Sequence, residues 1–100
     1  MKEILLVCNA GMSTSMLVKK MQDAAAAKGI DVNIKAKSLT DAKADLSNED
    51  VILIGPQIRY ELENVKKVAN GKPVEAINMQ DYGLMRGDKV LEHALSLMGE

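Results

Sequence analysis

The sequence predicts an α/β fold, a single open four-stranded parallel sheet in the order 2-1-3-4 with helices on both faces. Three observations lead there. Short apolar runs alternate with longer stretches of helical periodicity along the chain. Two of these runs, Ile4-Leu5-Leu6-Val7 and Val51-Ile52-Leu53-Ile54, are apolar at every position, as strands buried on both faces must be. The other two, residues 31–37 and 73–77, are mixed or short and belong at the edges.

Each element follows in order. After the first strand, Leu17, Val18, Met21, Ala24 and Ala25 recur at i, i+1, i+4, i+7 and i+8, which marks one face of a helix. The run from Ala24 to Ala27 favours helix by propensity, and Lys28-Gly29 ends it, glycine suiting the left-handed position beyond a helix. Over residues 31–37, Val32, Ile34 and Ala36 point one way while Asn33 and Lys35 point the other, a half-buried strand. A short helix is expected over residues 40–46. The strand at Val51 to Ile54 is stopped by Gly55-Pro56, and Ile58, Leu62, Val65 and Ala69 then mark the buried face of a helix closed by Asn70-Gly71. Pro73 opens the fourth strand, where its missing N–H is tolerable. A connecting segment, 78–86, leads into a last helix over 88–98 with Val90, Leu91, Ala94, Leu95 and Met98 on its apolar face.

With right-handed crossovers the chain reverses its direction of travel across the sheet between strands 1 and 3. Ligands of open α/β sheets bind at the carboxyl ends of the strands beside such a switch point. Two loops meet there, the one after Val7 and the one after Ile54.

Composition narrows what that site does. One hundred residues, 47% hydrophobic and 27% charged, predict one domain spanning 1–100. The net charge of −1 offers no basic field for nucleic acid or acidic lipid, and Tyr60 and Tyr82 are the only aromatics. The apolar run at 4–7 is too short for a signal segment or a membrane span, so a cytoplasmic protein without direct membrane insertion is expected. No His, Cys, Asp and Glu grouping has metal-ligand spacing, so no metal and no other cofactor are expected. The near-neutral charge suggests a monomer. Cys8 is the single cysteine and has no internal disulfide partner.

The loop that begins at this cysteine reads Cys8-Asn9-Ala10-Gly11-Met12-Ser13-Thr14-Ser15 and joins a buried strand to a helix. Small residues and Gly11 let the backbone fold tightly with its N–H groups turned inward, and with the positive end of the helix dipole these form an anion nest. Ser13, Thr14 and Ser15 add hydroxyl donors. A thiol at a helix N-terminus is favoured as thiolate, a good nucleophile toward phosphorus, and the same nest holds the oxygens of a transferred phosphoryl group. A cysteine at a strand end is often only a small core hydrophobe; the run of small and polar residues leading straight into a helix favours the functional role for Cys8.

The spacing Cys-x5-Thr-Ser resembles the phosphate loop of low-molecular-weight tyrosine phosphatases, Cys-x5-Arg-Ser, and with it their fold. Thr14 stands where a phosphatase has its arginine clamp, and no Asp-Pro loop is evident to protonate a leaving alcohol. An S-phosphoryl intermediate would then persist, which suits a carrier. The alternative enzyme classes, a cysteine-based phosphatase or an arsenate reductase of similar fold, would need that arginine and, for the latter, a resolving cysteine, and this sequence has neither. A non-catalytic interaction module with an anion pocket is a further alternative, in which Cys8 is incidental.

Four blocks in this order carry a closer resemblance: residues 8–15, then Gly55-Pro56-Gln57-Ile58 with Tyr60, then Lys72-Pro73-Val74, then Asp81-Tyr82-Gly83. Over essentially its whole length the chain resembles the B component of enzyme II of the bacterial sugar phosphotransferase system, of the lactose/cellobiose type. The resemblance implies a cytoplasmic phosphotransferase, a phosphoprotein of sugar transport that takes a phosphoryl group from a phosphohistidine on the A component. It implies transfer onward to a sugar, a beta-disaccharide or related sugar, held by the membrane-embedded C component. It makes Cys8 the phosphorylated nucleophile and Asn9, Ala10, Gly11, Met12, Ser13, Thr14 and Ser15 the phosphoryl-binding loop, with Gln57 and Tyr82 flanking.

Other residues have plainer readings. Met12 is either a contact for partner proteins or a lid on the loop. Tyr82 either hydrogen-bonds near the phosphoryl group or covers the sheet end, the latter preferred. Arg59 either helps partner docking or is a helix-surface charge, the latter preferred. His93, the only histidine and so the rival phosphoryl acceptor, is read as a solvated surface residue.

Overall fold

The computed structural model describes the backbone of residues 2–8, 12–44, 49–69 and 71–99, and their side chains except at 12–14 and 44. Four strands, β1 (Lys2–Cys8), β2 (Val32–Ser38), β3 (Val51–Ile54) and β4 (Val74–Ala76), form one parallel sheet in the order β2-β1-β3-β4. The helices between and after them are α1 (Met12–Lys28), α2 (Leu39–Ala44), α3 (Leu62–Val68), α4 (Met79–Gly83) and α5 (Gly87–Leu97), with a 3-10 turn at Pro56–Glu61.

The all-apolar strands are central, as their composition requires. Every side chain of β3 and those of Ile4 to Val7 are at most 1% exposed. Alternation divides them between two cores. Ile4 and Leu6 join Val51 and Leu53 beneath α1 and α5, against Leu17, Met21, Ala25, Val90, Leu91 and Ala94. Leu5 and Val7 join Ile52 and Ile54 beneath α2 and α3, against Ala42, Ile58, Val65 and Ala69. The parallel register sets Ile4 beside Val51 and Leu6 beside Leu53, so each face is continuous across the central pair.

Several boundaries differ from expectation for local reasons. The first strand is longer than its apolar run: Lys2, Glu3 and Cys8 pair with Val32, Asn33 and Ser38. The β4 ladder covers three residues, but the Pro73 carbonyl accepts from Ile52 N–H and Ile77 N–H donates to the Ile54 carbonyl. The helix expected from Ile58 is broken. Ile58 has φ −121° and ψ 26°, a kink inside the 3-10 segment, and the α-helix starts only at Leu62. The connecting segment 78–86 contains α4, whose five residues are too few to show a period. The expected helix over 40–46 is seen as α2, with positions 45 and 46 outside the described residues.

Helix ends follow the chemistry of their residues. Gly29 takes φ +68°, with its N–H donating to the Ala26 carbonyl and Ile30 N–H to the Ala25 carbonyl, a left-handed cap that ends α1. The Ser38 hydroxyl accepts from Asp41 N–H at 3.2 Å and starts α2. On β2, an edge strand, the Ile34 carbonyl accepts from the Gln22 side-chain amide at 3.1 Å. Among the described residues no helix is long and apolar enough to cross a membrane.

The seam between α1 and α5 depends on one missing methyl. A Cβ at Gly87 would stand 2.5 Å from the Lys20 carbonyl carbon and 2.6 Å from Met21 N, so only glycine lets α5 start against the α1 backbone. Gly87→Ala is expected to lower the unfolding free energy by about 1–3 kcal/mol in urea titrations. Gly83→Ala, where a Cβ meets open space, is expected to leave it unchanged or raise it by up to about 1 kcal/mol.

Candidate functional site

Cys8 is the last residue of β1 and is 3% exposed. It belongs to neither of the two apolar clusters that fill the sheet faces. Across the sheet it pairs in register with Ser38 of β2 on one side. On the other side lies Gly55, whose N–H donates to the Val7 carbonyl at 2.8 Å and so extends the β1–β3 pairing by one residue. The cysteine therefore stands on a central strand at the carboxyl end of the sheet, where the chain order reverses.

Three residues separate Cys8 from the first residue of α1, Met12. The first turn of α1 carries no acidic side chain, so nothing anionic in that turn competes for its positive dipole end. Of the loop residues singled out in the sequence, Asn9, Ala10 and Gly11 lie outside the described residues, as do the side chains of Met12, Ser13 and Thr14. Ser15 is exposed in α1.

The other two candidate residues come together. Gln57 and Tyr82 line one surface hollow of about 420 Å³ with Pro56, Met79, Gly83 and Met85. Tyr82 is 6% exposed and packs into the core beneath α1 and α5. Gln57 is exposed and folds back toward β3. Its Oε1 lies 3.1 Å from the point where a Cβ on Gly55 would stand, and Cys8 Cβ lies 3.6 Å from the same point.

Both walls of the hollow are held from outside. The 3-10 turn carrying Gln57 is tethered through Glu61, whose Oε1 accepts from the Asn64 side chain at 2.8 Å and from Lys43 Nζ of α2 at 3.2 Å. These contacts, the Asn64 bond foremost, hold the Glu61 carboxyl below its usual range. The tether is accordingly intact at neutral pH and is lost as the pH falls through that lowered value. The opposite wall is α4, started by the Asn78 side chain, which accepts from Gln80 N–H at 2.9 Å and Asp81 N–H at 3.1 Å. It ends in Met85 at φ +53°, a left-handed conformation rare outside glycine.

Sequence reasoning missed part of this wall. Met79 and Met85 carry no periodic signal, and the crowding of Gln57 Oε1 and Cys8 Cβ around the missing methyl of Gly55 has no sequence signature. Arg59 is exposed on the 3-10 turn, as expected. His93 lies in α5 with its side chain 35% exposed and its Nε2 3.9 Å from Glu75 Oε1 of β4. It is absent from the described lining of the hollow. Among the described residues no group of three or more His, Cys, Asp and Glu is placed to hold a metal ion.

Comparison with known proteins gives this geometry a family. Residues 3–93 match the family described as the lactose/cellobiose-specific IIB subunit of the phosphotransferase system. The chain belongs to that family. It is 51% identical to a galactose-specific IIB component of Lactococcus lactis subsp. cremoris, over 97% of this chain and 96% of that one. It is equally 51% identical, with the same coverage, to a cellobiose-specific IIB component of Lactococcus lactis subsp. lactis. The solution structure of a cellobiose-specific IIB component from Borrelia burgdorferi superposes with a TM-score of 0.82 at 40% identity, covering 98% of this chain and 92% of that one. IIB components are phosphotransferases that act with the other components of the system in sugar uptake.

The α4 cap is testable apart from any transfer reaction. Asn78→Ala removes two hydrogen bonds at once and is expected to cost about 1 kcal/mol. Amide exchange at Gln80 and Asp81 should rise before any change in the β1 and β3 amides.

Proposed function

We propose that residues 1–100 act as one phosphocarrier unit, a cytoplasmic monomer that holds the phosphoryl group on Cys8. The donor is a phosphohistidine of the A component. The S–P bond forms as the N–P bond breaks; the imidazole nitrogen keeps the electron pair, and the thiol proton leaves to that nitrogen or to water. The acceptor is a hydroxyl of a sugar, a beta-disaccharide or related sugar, held by the membrane-embedded C component. Its oxygen attacks phosphorus, the S–P electron pair returns to sulfur, and the hydroxyl proton leaves to a base or to water.

The observation that carries this proposal is the position of the single cysteine. It ends a central strand at the sheet's switch point, three residues before a helix whose first turn is free of acidic side chains. In this assignment Asn9 through Ser15 cradle the phosphoryl oxygens with backbone N–H groups and the hydroxyls of Ser13, Thr14 and Ser15. Thr14 supplies a hydroxyl where a phosphatase would bring a guanidinium, so the thiophosphate ester is built to last until an acceptor arrives.

Incubation with the phosphorylated A component should add the mass of one phosphoryl group to the intact protein. Cys8→Ser should accept none, and His93→Gln should accept as the unsubstituted protein does. Acceptance by Cys8→Ser together with its loss in His93→Gln would move the site to the histidine. An aryl phosphate should be turned over very little.

A further inference from the structure

The glycine after β3 poses a physical question. Gly55 has φ −56° and ψ 143°, a conformation open to any residue and the one expected before a proline. Its backbone therefore does not ask for glycine. Space does. A Cβ there would meet Gln57 Oε1 at 3.1 Å, the Val7 carbonyl oxygen at 3.5 Å and Cys8 Cβ at 3.6 Å. The missing methyl leaves a notch in which the Gln57 carboxamide lies against the strand end beside the cysteine.

Gln57 also lines the open hollow between the 3-10 turn and α4. Its side chain thus reaches from the hollow to the notch at Gly55, on whose rim Cys8 Cβ also stands. Gln57 is exposed, so its side chain contributes little to the core, and the Glu61 tether holds the turn beneath it.

We infer that Gln57 is a catalytic residue of the transfer, donating an Nε2 hydrogen bond to an oxygen of the phosphoryl group as it moves to and from Cys8, and that Gly55 is a positioning residue that makes room for it. The inference rests on the phosphocarrier reading of Cys8. A neutral amide suits the task. It stabilises the equatorial oxygens as charge spreads over them, without the fixed positive charge that would trap the phosphorylated form. Tyr82, buried in the core, also lines the hollow.

The test is a double-mutant cycle read as the rate of phosphoryl transfer from the phosphorylated A component to the protein, with intact mass locating the group. Gln57→Ala is expected to slow transfer about 10- to 100-fold, toward the low side of what losing one oxyanion donor costs, with the melting temperature unchanged. Gln57→Glu keeps the length but replaces donors with a negative charge, and is expected to be slower still. Gly55→Ala retains the backbone N–H and an unstrained φ, yet is expected to give a loss like that of Gln57→Ala. The double variant should be no slower than either single one, because both remove the same contact. Phosphorylation of the unsubstituted protein should also shift the Gln57 side-chain amide resonances. Rates within twofold of the unsubstituted protein for Gln57→Ala, or multiplicative losses in the double variant, would overturn the assignment while the carrier reading stands. No phosphoryl group on Cys8 in the unsubstituted protein would overturn both.

Discussion

The pairing of β1 with β3 is the constraint on which the remaining structure depends. Both strands are buried on both faces, so each must satisfy its backbone polar groups through its neighbours and fill two cores at once. That requirement places them in the middle, assigns β2 and β4 to the edges, and puts helices on both sides. It also creates the switch point, because the chain leaves β1 toward β2 and returns across it to β3. The loop after β1 and the loop after β3 then open side by side at one end of the sheet. Among the described residues the Gly55 N–H bond to the Val7 carbonyl is the last rung of that pairing and the first contact of the site.

From that end the geometry divides labour between rigid and exposed parts. Cys8 is fixed by the sheet, α1 is fixed against α5 by the close approach at Gly87, and the 3-10 turn is tied to α2 and α3 through Glu61. What faces outward between them is a shallow hollow with an amide on one wall and methionine side chains on the other. Methionine adapts its shape to different surfaces at little cost. Such a wall fits a protein that must meet more than one partner through the same end of its sheet.

Much of this was legible in the residues. Period and apolarity gave the four strands, their order and the buried faces of α1, α3 and α5, since burial on two faces or on one stripe leaves a direct imprint on composition. The position of Cys8 at a strand end before a helix was equally legible. Shorter features were not. α4 is set by one asparagine side chain and a left-handed methionine, and neither has a periodic signature. The break at Ile58 arises because the chain turns from the strand end into α3, a tertiary demand that overrides a run of residues otherwise fit for helix. The use of Gly55 was hidden because a glycine before a proline reads as a terminator; only the crowding of Gln57 Oε1 and Cys8 Cβ around its missing methyl gives it a spatial reason.

The bond from Gln22 to the Ile34 carbonyl bears on how such a protein survives at high concentration. β2 is the longer of the two outer strands, and an outer strand is a template onto which another molecule's backbone can add. Here a side chain from the covering helix occupies one of its acceptors, while Lys35 and Lys37 set positive charge along it. A second molecule approaching in strand fashion meets the exposed Lys35 and an acceptor already bonded, so aggregation through this flank is discouraged.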